Sequence, residues 1–253
     1  MRAVALVTGA SSGIGAELAR ILASHGHDLA LVARRREALD LLADELVAAG
    51  RPRPLIVAAD LAAPDGVGAV VEALAAADAR VAILVNNAGY GLVGHVADLD
   101  PAGQLGIVDL NIRALLDLTL RLLPDLRAAQ GKILNVGSVA SFMPGPGMAV
   151  YYASKAFVSA FSRALTEELK AAGVSVSVLH PGVTATGFHR RAGLGASRGA
   201  DARAVAEAGY AGMMARRRTI VPGLGNKLAA LVLPLIPDAV LLPLVHRFQR
   251  GRR

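Results

Sequence analysis

Short apolar runs alternate along the chain with longer segments whose apolar residues recur every three or four positions. Residues 3–7 and 29–33 are short runs of this kind, and residues 14–24 and 37–49 carry the longer pattern. Short apolar runs predict buried strands, and the three-to-four periodicity predicts amphipathic helices. The first fifty residues therefore predict two strand–helix units in succession.

The same alternation continues to about residue 187. Further strands are predicted at residues 55–58, 81–85, 132–136 and 174–179, and further helices near residues 65–76, 102–128 and 151–172. Strands that are apolar throughout and are joined by helices are typical of a parallel sheet covered on both faces. The sequence therefore predicts an α/β fold, a doubly wound Rossmann-type sheet, with residues 1–253 in a single domain.

The pattern changes after residue 187. Residues 187–200 are rich in Gly and Arg and predict a loop, residues 201–217 predict a helix, and residues 226–248 are apolar but interrupted by prolines. These prolines and Asp238 argue against a straight membrane-spanning helix and favour two short amphipathic pieces. We interpret residues 187–253 as a variable C-terminal segment.

Two interpretations of this C-terminal segment stay open. It is a subunit interface or a cover for the core, or it is an apolar lid over the substrate with a basic rim. The rim would consist of Arg190, Arg191, Arg216, Arg217, Arg218, Lys227, Arg247 and Arg250. An apolar surface edged with cations suits a lipophilic substrate that carries an anionic group, or peripheral contact with an anionic membrane.

Charge and composition narrow the function classes. Lys and Arg number 27 against 20 Asp and Glu, but residues 1–186 are slightly acidic, so the basic excess lies in the last quarter. Aromatic residues make up 4% of the chain and Trp is absent, which argues against a nucleic-acid reader. The absence of Cys excludes a disulfide framework, a thiolate metal site and a cysteine nucleophile, and no metal site is predicted. The N-terminus lacks the long apolar stretch of a secretory signal, so we expect a cytoplasmic protein.

A glycine-rich turn follows the first predicted strand and leads directly into the first helix. Its sequence is Thr8-Gly9-Ala10-Ser11-Ser12-Gly13-Ile14-Gly15. Glycines let a backbone turn tightly and approach a pyrophosphate, and a helix N-terminus offers free N–H donors and the positive end of the helix dipole. The turn therefore predicts a dinucleotide site, although three glycines before a helix can also form a mere tight connection.

Further motifs follow the later strands and helices in order. They are Asp60-Leu61, Asn86-Asn87-Ala88-Gly89, Asn111, Ser138, Tyr151-Tyr152-Ala153-Ser154-Lys155, and Pro181-Gly182-Val183-Thr184-Ala185-Thr186. Together with the glycine turn, they resemble in order and spacing the motifs of the short-chain dehydrogenase/reductase family over residues 3–188. The resemblance implies an oxidoreductase that uses a nicotinamide dinucleotide and assembles as a homodimer or homotetramer.

The resemblance also implies which residues form the site. The expected cofactor-binding residues are Gly9, Ser11, Ser12, Gly13, Ile14, Gly15, Arg34, Arg35, Asp60, Leu61, Asn87, Ala88, Gly89, Tyr151, Lys155, Pro181, Gly182, Val183, Thr184 and Thr186, and the expected catalytic residues are Asn111, Ser138, Tyr151 and Lys155. Lys155 is expected to hold the ribose next to the nicotinamide. Asn111 is expected to anchor a water molecule that leads protons away from Lys155.

The chemistry of Tyr151 and Lys155 follows from their spacing. Four residues apart on a helix, the two side chains share a face. A fixed ammonium group near a phenol favours phenolate, so we expect Lys155 to lower the pKa of Tyr151 and make it a general acid–base. Ser138 ends a predicted strand, where α/β sheets bind ligands, and can hydrogen-bond the same substrate oxygen.

Each of these side chains also has a plain structural interpretation. Tyr and Lys one helical turn apart are often a solvated surface pair, and an Asn on an apolar helix is often a structural hydrogen bonder. We assign Tyr152 to packing. The histidines at positions 95, 180 and 189 have no carboxylate at motif spacing and are interpreted as bystanders, although His189 can also line the substrate pocket.

The residues after the second predicted strand indicate the cofactor. An NAD enzyme normally carries a carboxylate about 20 residues beyond the glycine turn, where it binds the ribose 2′-hydroxyl. Here Arg34 and Arg35 occupy that place, and guanidinium groups can hold a 2′-phosphate. A solvent-facing basic start of a helix is the alternative, and Glu37 is the residue that would argue for NAD. The sequence therefore predicts NADP(H), with NAD(H) as the less favoured cofactor.

Taken together, these features predict NADP(H)-dependent interconversion of a carbonyl and a secondary alcohol. We expect reduction of a lipophilic ketone, aldehyde or oxoacyl compound, a small-molecule substrate, because cells supply NADPH. The motifs do not encode the substrate itself. A nucleotide-binding sensor or scaffold with vestigial dehydrogenase activity is the alternative, and the intact set of Ser138, Tyr151 and Lys155 argues against it.

Overall fold

A parallel sheet forms the framework of the protein. The structure, a computed structural model, describes residues 2–184 and 199–250. Within these ranges the strands are β1 (Arg2–Thr8), β2 (Asp28–Ala33), β3 (Leu55–Ala58), β4 (Ala79–Asn86), β5 (Lys132–Val136), β6 (Ser175–Leu179) and β7 (Thr219–Ile220). They pair in the order β3-β2-β1-β4-β5-β6-β7, and every neighbouring pair is parallel. The predicted doubly wound sheet is confirmed.

Helices connect the strands and cover both faces of the sheet. They are α1 (Gly13–Ser24), α2 (Arg36–Ala48), α3 (Gly66–Ala76), α4 (Pro101–Val108), α5 (Leu115–Ala128), α6 (Ala149–Glu168), α7 (Ala202–Met214), α8 (Leu224–Val232) and α9 (Asp238–Arg250). The single helix predicted over residues 102–128 is interrupted. A π-helical segment, Asp109–Ala114, lies between α4 and α5 and carries Asn111. Such segments often mark functional sites in helices.

The core lies in two layers, one on each face of the sheet. Along β1, Val4 and Leu6 pack into one cluster of buried residues, while Ala5 and Val7 pack into the other. Helices α1 and α7 contribute to the cluster around Val7, whereas α3, α5 and α6 contribute to the cluster around Leu6. Because both faces of β1 are buried, the strand is apolar at every core position instead of alternating with polar residues.

The C-terminal segment contains the two short helical pieces that the sequence predicts. Helix α8 continues into a 3₁₀ turn, Leu233–Leu235, and α9 follows after Pro237 with Pro243 inside it. Strand β7 was not predicted, because its two residues are too few to show a periodicity. Across residues 2–184 and 199–250, none of the helices has both the length and the apolar character that a membrane span requires.

One part of the predicted basic rim is wrong. Arg218 pairs with Glu167 at the C-terminal end of α6. Burial, and to a smaller extent the nearby charge of Arg216, lowers the pKa of Lys132, the first residue of β5. Both arginines therefore lie toward the amino edge of the sheet, as does Arg217 between them. Chain direction explains the error: these residues precede β7, whereas the ligand cleft opens at the carboxyl ends of parallel strands.

Candidate active site

The predicted motifs meet at the carboxyl edge of the sheet. There they surround a cleft of about 850 Å³. Predicted residues that line it are Gly9, Ser11, Ser12, Gly13, Ile14, Arg34, Arg35, Asp60, Leu61, Asn87, Ala88, Gly89, Ser138, Tyr151, Lys155, Pro181, Gly182, Val183 and Thr184. Gly15 and Asn111 lie behind the cleft wall, and Thr186, like His189, Arg190 and Arg191, lies outside the described residues.

The glycine turn is held in a conformation that glycine alone adopts easily. Gly9 and Gly13 have φ values of +66° and +58°, in the left-handed region. Gly15 is packed so tightly that a Cβ atom there would collide with the Asn87 amide and the Gly9 carbonyl. Gly9 and Gly13 are thus required by the backbone conformation, and Gly15 is required by close packing. A simple tight connection between a strand and a helix would require neither.

A residue that the sequence analysis missed holds the turn against β4. The Thr8 hydroxyl donates to the Val85 carbonyl at 3.2 Å and accepts from the amides of Asn87 and Ala88 at 2.9 and 3.0 Å. The Asn87 side chain returns a bond to the Thr8 carbonyl at 2.8 Å. Thr8 begins the glycine-turn sequence, but its position there does not indicate which groups its hydroxyl bonds, so its role became visible only in the structure.

The start of α1 fits an anionic group. Ser12 precedes the helix, and its side chain makes no capping hydrogen bond to the first turn. The free N–H groups of that turn, together with the positive end of the helix dipole, are the usual binding site of a phosphate. The crowding at Gly9 and Gly15, the uncapped helix and the volume of the cleft therefore all fit a dinucleotide.

Two guanidinium groups flank this end of the cleft. Arg35 donates to the Ser11 carbonyl at 3.0 Å and to the Ser11 hydroxyl at 3.2 Å, which places it over the glycine turn. Arg34 is half exposed and lies 3.8 Å from Asp60. Glu37 is exposed in the first turn of α2 and does not line the cleft. The predicted positively charged pair is therefore in place, with Asp60 as the nearest carboxylate.

The side chains of Ser138 and Tyr151 meet in the wall of the cleft. Ser138 follows β5 and its hydroxyl accepts from the Ala140 amide at 3.1 Å, while a side-chain hydrogen bond joins it to Tyr151. Burial raises the pKa of Tyr151 to about 12, against the smaller lowering effect of the Ser138 hydrogen bond. The expected net lowering of this pKa is wrong, because desolvation of the phenolate outweighs the interactions that favour it in this geometry.

Lys155 lies beneath the Tyr151 ring, and its ammonium group is hydrogen-bonded to the backbone of β5. Its Nζ atom donates to the Val136 carbonyl at 2.8 Å and lies 5.9 Å from the centre of the Tyr151 ring. Burial lowers the pKa of Lys155 to about 8. An ammonium group has three donors, so two remain for a ligand in the cleft.

Asn111 is bonded on both sides of its amide. Its Oδ1 accepts from the Tyr90 amide at 3.1 Å, and its Nδ2 donates to the Tyr90 carbonyl and the Ser154 hydroxyl, both at 3.0 Å. Ser154 in turn donates to the Tyr151 carbonyl at 2.7 Å. Asn111 therefore ties the loop after β4 to the helix turn that carries Tyr151 and Lys155, and its part in proton conduction stays a prediction.

His180 is closer to the chemistry than its sequence context suggests. It is fully buried after β6, its Nδ1 lies 3.0 Å from the Ser138 carbonyl, and its ring packs 4.6 Å from that of Phe142. Burial lowers the pKa of His180 to about 4, so the ring is neutral near pH 7. Tyr152 packs with Ala140 and Met148 in a small apolar cluster beside the cleft.

The comparisons with known proteins agree with this arrangement. A family model described as short chain dehydrogenase matches residues 3–195. Sulfoacetaldehyde reductase 2 of Chromohalobacter salexigens is 41% identical over 191 residues, which cover 74% of this chain and 75% of that protein.

Solved structures are similar over nearly the whole chain. A short-chain dehydrogenase from Sphingobium yanoikuyae in complex with NADPH has a TM-score of 0.83 and 35% identity, with 96% of this chain and 95% of that chain covered. A 3-ketoacyl-(acyl-carrier-protein) reductase from Brucella melitensis complexed with NADH has a TM-score of 0.75 and 30% identity, with 87% of this chain and 94% of that chain covered. Both forms of nicotinamide dinucleotide thus occur among similar proteins.

Proposed function

The chain belongs to the short-chain dehydrogenase family and is an oxidoreductase, and we propose that it uses NADPH to reduce the carbonyl group of an apolar substrate. One observation carries the proposal. Ser138, Tyr151 and Lys155 face the same cleft as the glycine turn and the Arg34–Arg35 pair, so a proton donor and a dinucleotide site open onto one space.

The residues present fit a bound NADPH. The first turn of α1 would hold its pyrophosphate, Arg34 and Arg35 its 2′-phosphate, and Lys155 the ribose of the nicotinamide. When bound, NADPH supplies the hydride that adds to the substrate's carbonyl carbon. Preference for NADPH over NADH rests on Arg34 and Arg35, because a guanidinium pair gains charge-assisted hydrogen bonds from a phosphate that a 2′-hydroxyl does not offer.

Tyr151 supplies the proton that completes the reduction. With a pKa raised to about 12, its phenol is protonated near neutral pH and can donate to the substrate oxygen. Ser138 shares that oxygen through its hydroxyl and orients the carbonyl. The phenolate that forms is stabilised by the Lys155 ammonium 5.9 Å from its ring centre.

The substrate end of the cleft favours an apolar compound. Around Ser138 it is lined by Val139, Ala140, Met148 and Tyr152. Among the described residues that line the cleft, the guanidinium groups of Arg34 and Arg35 lie at the nucleotide end and Lys155 lies beneath Tyr151. An alkyl ketone, an aldehyde or an oxoacyl compound suits these walls.

A second substrate class has one observation in its favour. The relative with 41% identity is named for a small sulfonated aldehyde. A sulfonate would need a cation near the substrate carbonyl. Within residues 2–184 and 199–250, Arg34 and Arg35 lie at the nucleotide end of the cleft, and Lys155 is assigned to the ribose of the nicotinamide. The apolar substrate is therefore the preferred proposal.

A substrate panel distinguishes these classes. Purified protein is assayed for NADPH consumption with 2-alkanones and aldehydes of increasing chain length, with a 3-oxoacyl thioester and with sulfoacetaldehyde. We expect kcat/KM to rise with alkyl length. Equal kcat/KM from short to long chains, with high activity on sulfoacetaldehyde, would contradict the apolar substrate. NADPH binding without turnover on any compound would favour the sensor or scaffold alternative.

A further inference from the structure

Helix α8 presents its large apolar side chains to solvent. Leu224, Leu228, Leu231 and Leu235 are 63 to 83% exposed and recur at the spacing of one helix face. We refer to these four residues as the leucine stripe. Surface helices normally place such a stripe against the core, and α8 does the reverse: none of its residues is buried, and the less exposed positions are Asn226, Ala229 and Ala230.

Helix α9 also exposes apolar side chains, but it buries one part of its surface. Val240 and Leu244, one turn apart, are 53% and 59% exposed, whereas Leu241 and Val245 are buried. The ring of His246 meets that of His95 edge-on, with centroids 5.4 Å apart. Helix α9 therefore packs through one part of its surface and leaves Val240 and Leu244 exposed.

Charges on α8 and α9 indicate what covers the leucine stripe. Lys227 on α8 and Arg247 on α9 are exposed, and neither forms an ion pair with any described residue. Asp238 is the one acidic residue from position 219 onward, against five Lys and Arg. An apolar helix face with flanking cations matches helices that lie in the interface of an anionic bilayer.

A second copy of the chain fits the stripe less well. A two-fold symmetric contact places the same surface of each subunit opposite itself. Lys227 and Arg247, both exposed, would then be brought close to a second set of the same cations, which adds like-charge repulsion to any apolar gain. Anionic lipid offers the complementary charge instead.

The leucine stripe also lies beside the entrance to the cleft. The Asn226 side chain approaches Gly182, and α8 packs against the Val139–Phe142 turn that follows Ser138. We propose that the leucine stripe and the cations beside it dock the protein onto anionic lipid bilayers, with the substrate end of the cleft next to the membrane. The docking stands on this surface alone, whereas the delivery of apolar substrate from the bilayer rests on the proposed function.

Vesicle flotation tests the docking. Full-length protein is mixed with phosphatidylglycerol vesicles or with phosphatidylcholine vesicles, at low salt and at 0.5 M NaCl, which shortens the reach of surface charges to a few ångströms. The stripe variant is Leu228→Ser with Leu231→Ser. The matched control is Leu41→Ser with Val47→Ser, two exposed apolar residues of α2. NADPH affinity and circular dichroism of both variants establish that they are folded.

We expect the wild type and the control to float with phosphatidylglycerol vesicles at low salt. The bound fraction should fall at least tenfold when the stripe variant replaces the wild type. It should fall as much for the wild type in high salt or with phosphatidylcholine vesicles. No flotation of the wild type, or equal flotation of the stripe variant, would overturn the proposal. Light scattering adds a further outcome: a dimer that dissociates in the stripe variant and never binds vesicles would assign the surface to a second copy. Because flotation needs no turnover, it can fail or succeed independently of the proposed reaction.

Discussion

The Nδ1 atom of His180 lies 3.0 Å from the backbone carbonyl oxygen of Ser138. The ring is neutral, since burial lowers its pKa to about 4, and it therefore donates one N–H to that carbonyl. Two backbone bonds run in parallel: Gly137 donates to Leu179 at 2.7 Å, and Val139 donates to Pro181 at 3.0 Å. His180 thus contributes one of three hydrogen bonds that join the turn around Ser138 to the segment around Pro181. It acts on the reaction by positioning Ser138.

Two substitutions of His180 distinguish the effect of its hydrogen bond to Ser138 from the effect of its volume in the core. Asn has a side-chain N–H where His has Nδ1, whereas Phe fills the space without a donor. We expect His180→Phe to lower kcat about tenfold, the effect of a lost hydrogen bond of about 1.4 kcal/mol, and to leave the Kd of NADPH within about twofold. His180→Asn is expected to restore most of kcat. Equal kcat in the two variants would show that His180 contributes volume only.

The pH dependence of stability reports on Lys155. Burial lowers its pKa in the folded protein to about 8 from 10.5, so the unfolded chain binds more protons between these values. The free energy of unfolding therefore rises with pH through this window. The stability that is gained in this way is lost again as pH falls toward 8. At 1.36 kcal/mol for each pH unit, the full contribution is about 3 kcal/mol.

Lys155→Met provides the reference without this titration. Urea unfolding at pH 7, 8.5 and 10 gives the stability of wild type minus variant. We expect this difference to increase by about 2 kcal/mol or more between pH 7 and 10, ahead of the opposing effect of Tyr151, whose raised pKa weakens the folded state only above pH 10. A difference that stays constant with pH would mean that Lys155 titrates normally and is hydrated.

Cofactor preference depends on Arg34 and Arg35. Each charge-assisted hydrogen bond to a 2′-phosphate contributes roughly 1.5–3 kcal/mol. The double variant Arg34→Ala, Arg35→Ala should therefore raise the Kd of NADPH about 100-fold and that of NADH less than threefold, as measured by titration calorimetry. Arg36→Ala is the matched control, because Arg36 is exposed and pairs with Asp40 at 3.4 Å outside the cleft. Tighter binding of NADH than NADPH by the wild type would contradict the NADP(H) preference.

Sequence patterns predicted the sheet and the edge at which the motif residues lie, because both depend on local rules, whereas the roles of those residues were implied by the family resemblance. A buried parallel strand must be apolar on both faces, and the residue after it must lie at the ligand edge, so the positions of Gly9, Asn87 and Ser138 follow from the sequence pattern alone. Thr8 and His180 were not assigned roles. Each acts through hydrogen bonds to a chain segment that is distant in sequence, and such bonds leave no periodic signal.

Two errors show where local rules end. The pKa of Tyr151 was expected to fall because Lys155 is one helical turn away, but spacing says nothing about how far burial opposes the phenolate. Arg216 and Arg218 were grouped with the C-terminal cations because they are near in sequence. A short strand separates them from α8, and it carries the chain from one edge of the sheet to the other.

Replacing Tyr151 by Phe tests the proposed chemistry most directly. The measurement is kcat for NADPH-dependent reduction of the best ketone of the panel, paired with the Kd of NADPH, for Tyr151→Phe and for the neighbouring control Tyr152→Phe. Loss of the proton donor predicts a fall in kcat of at least about 100-fold with NADPH affinity unchanged, while the control stays within about threefold of wild type. A Tyr151→Phe enzyme that retains a tenth or more of the wild-type kcat would contradict Tyr151 as the proton donor.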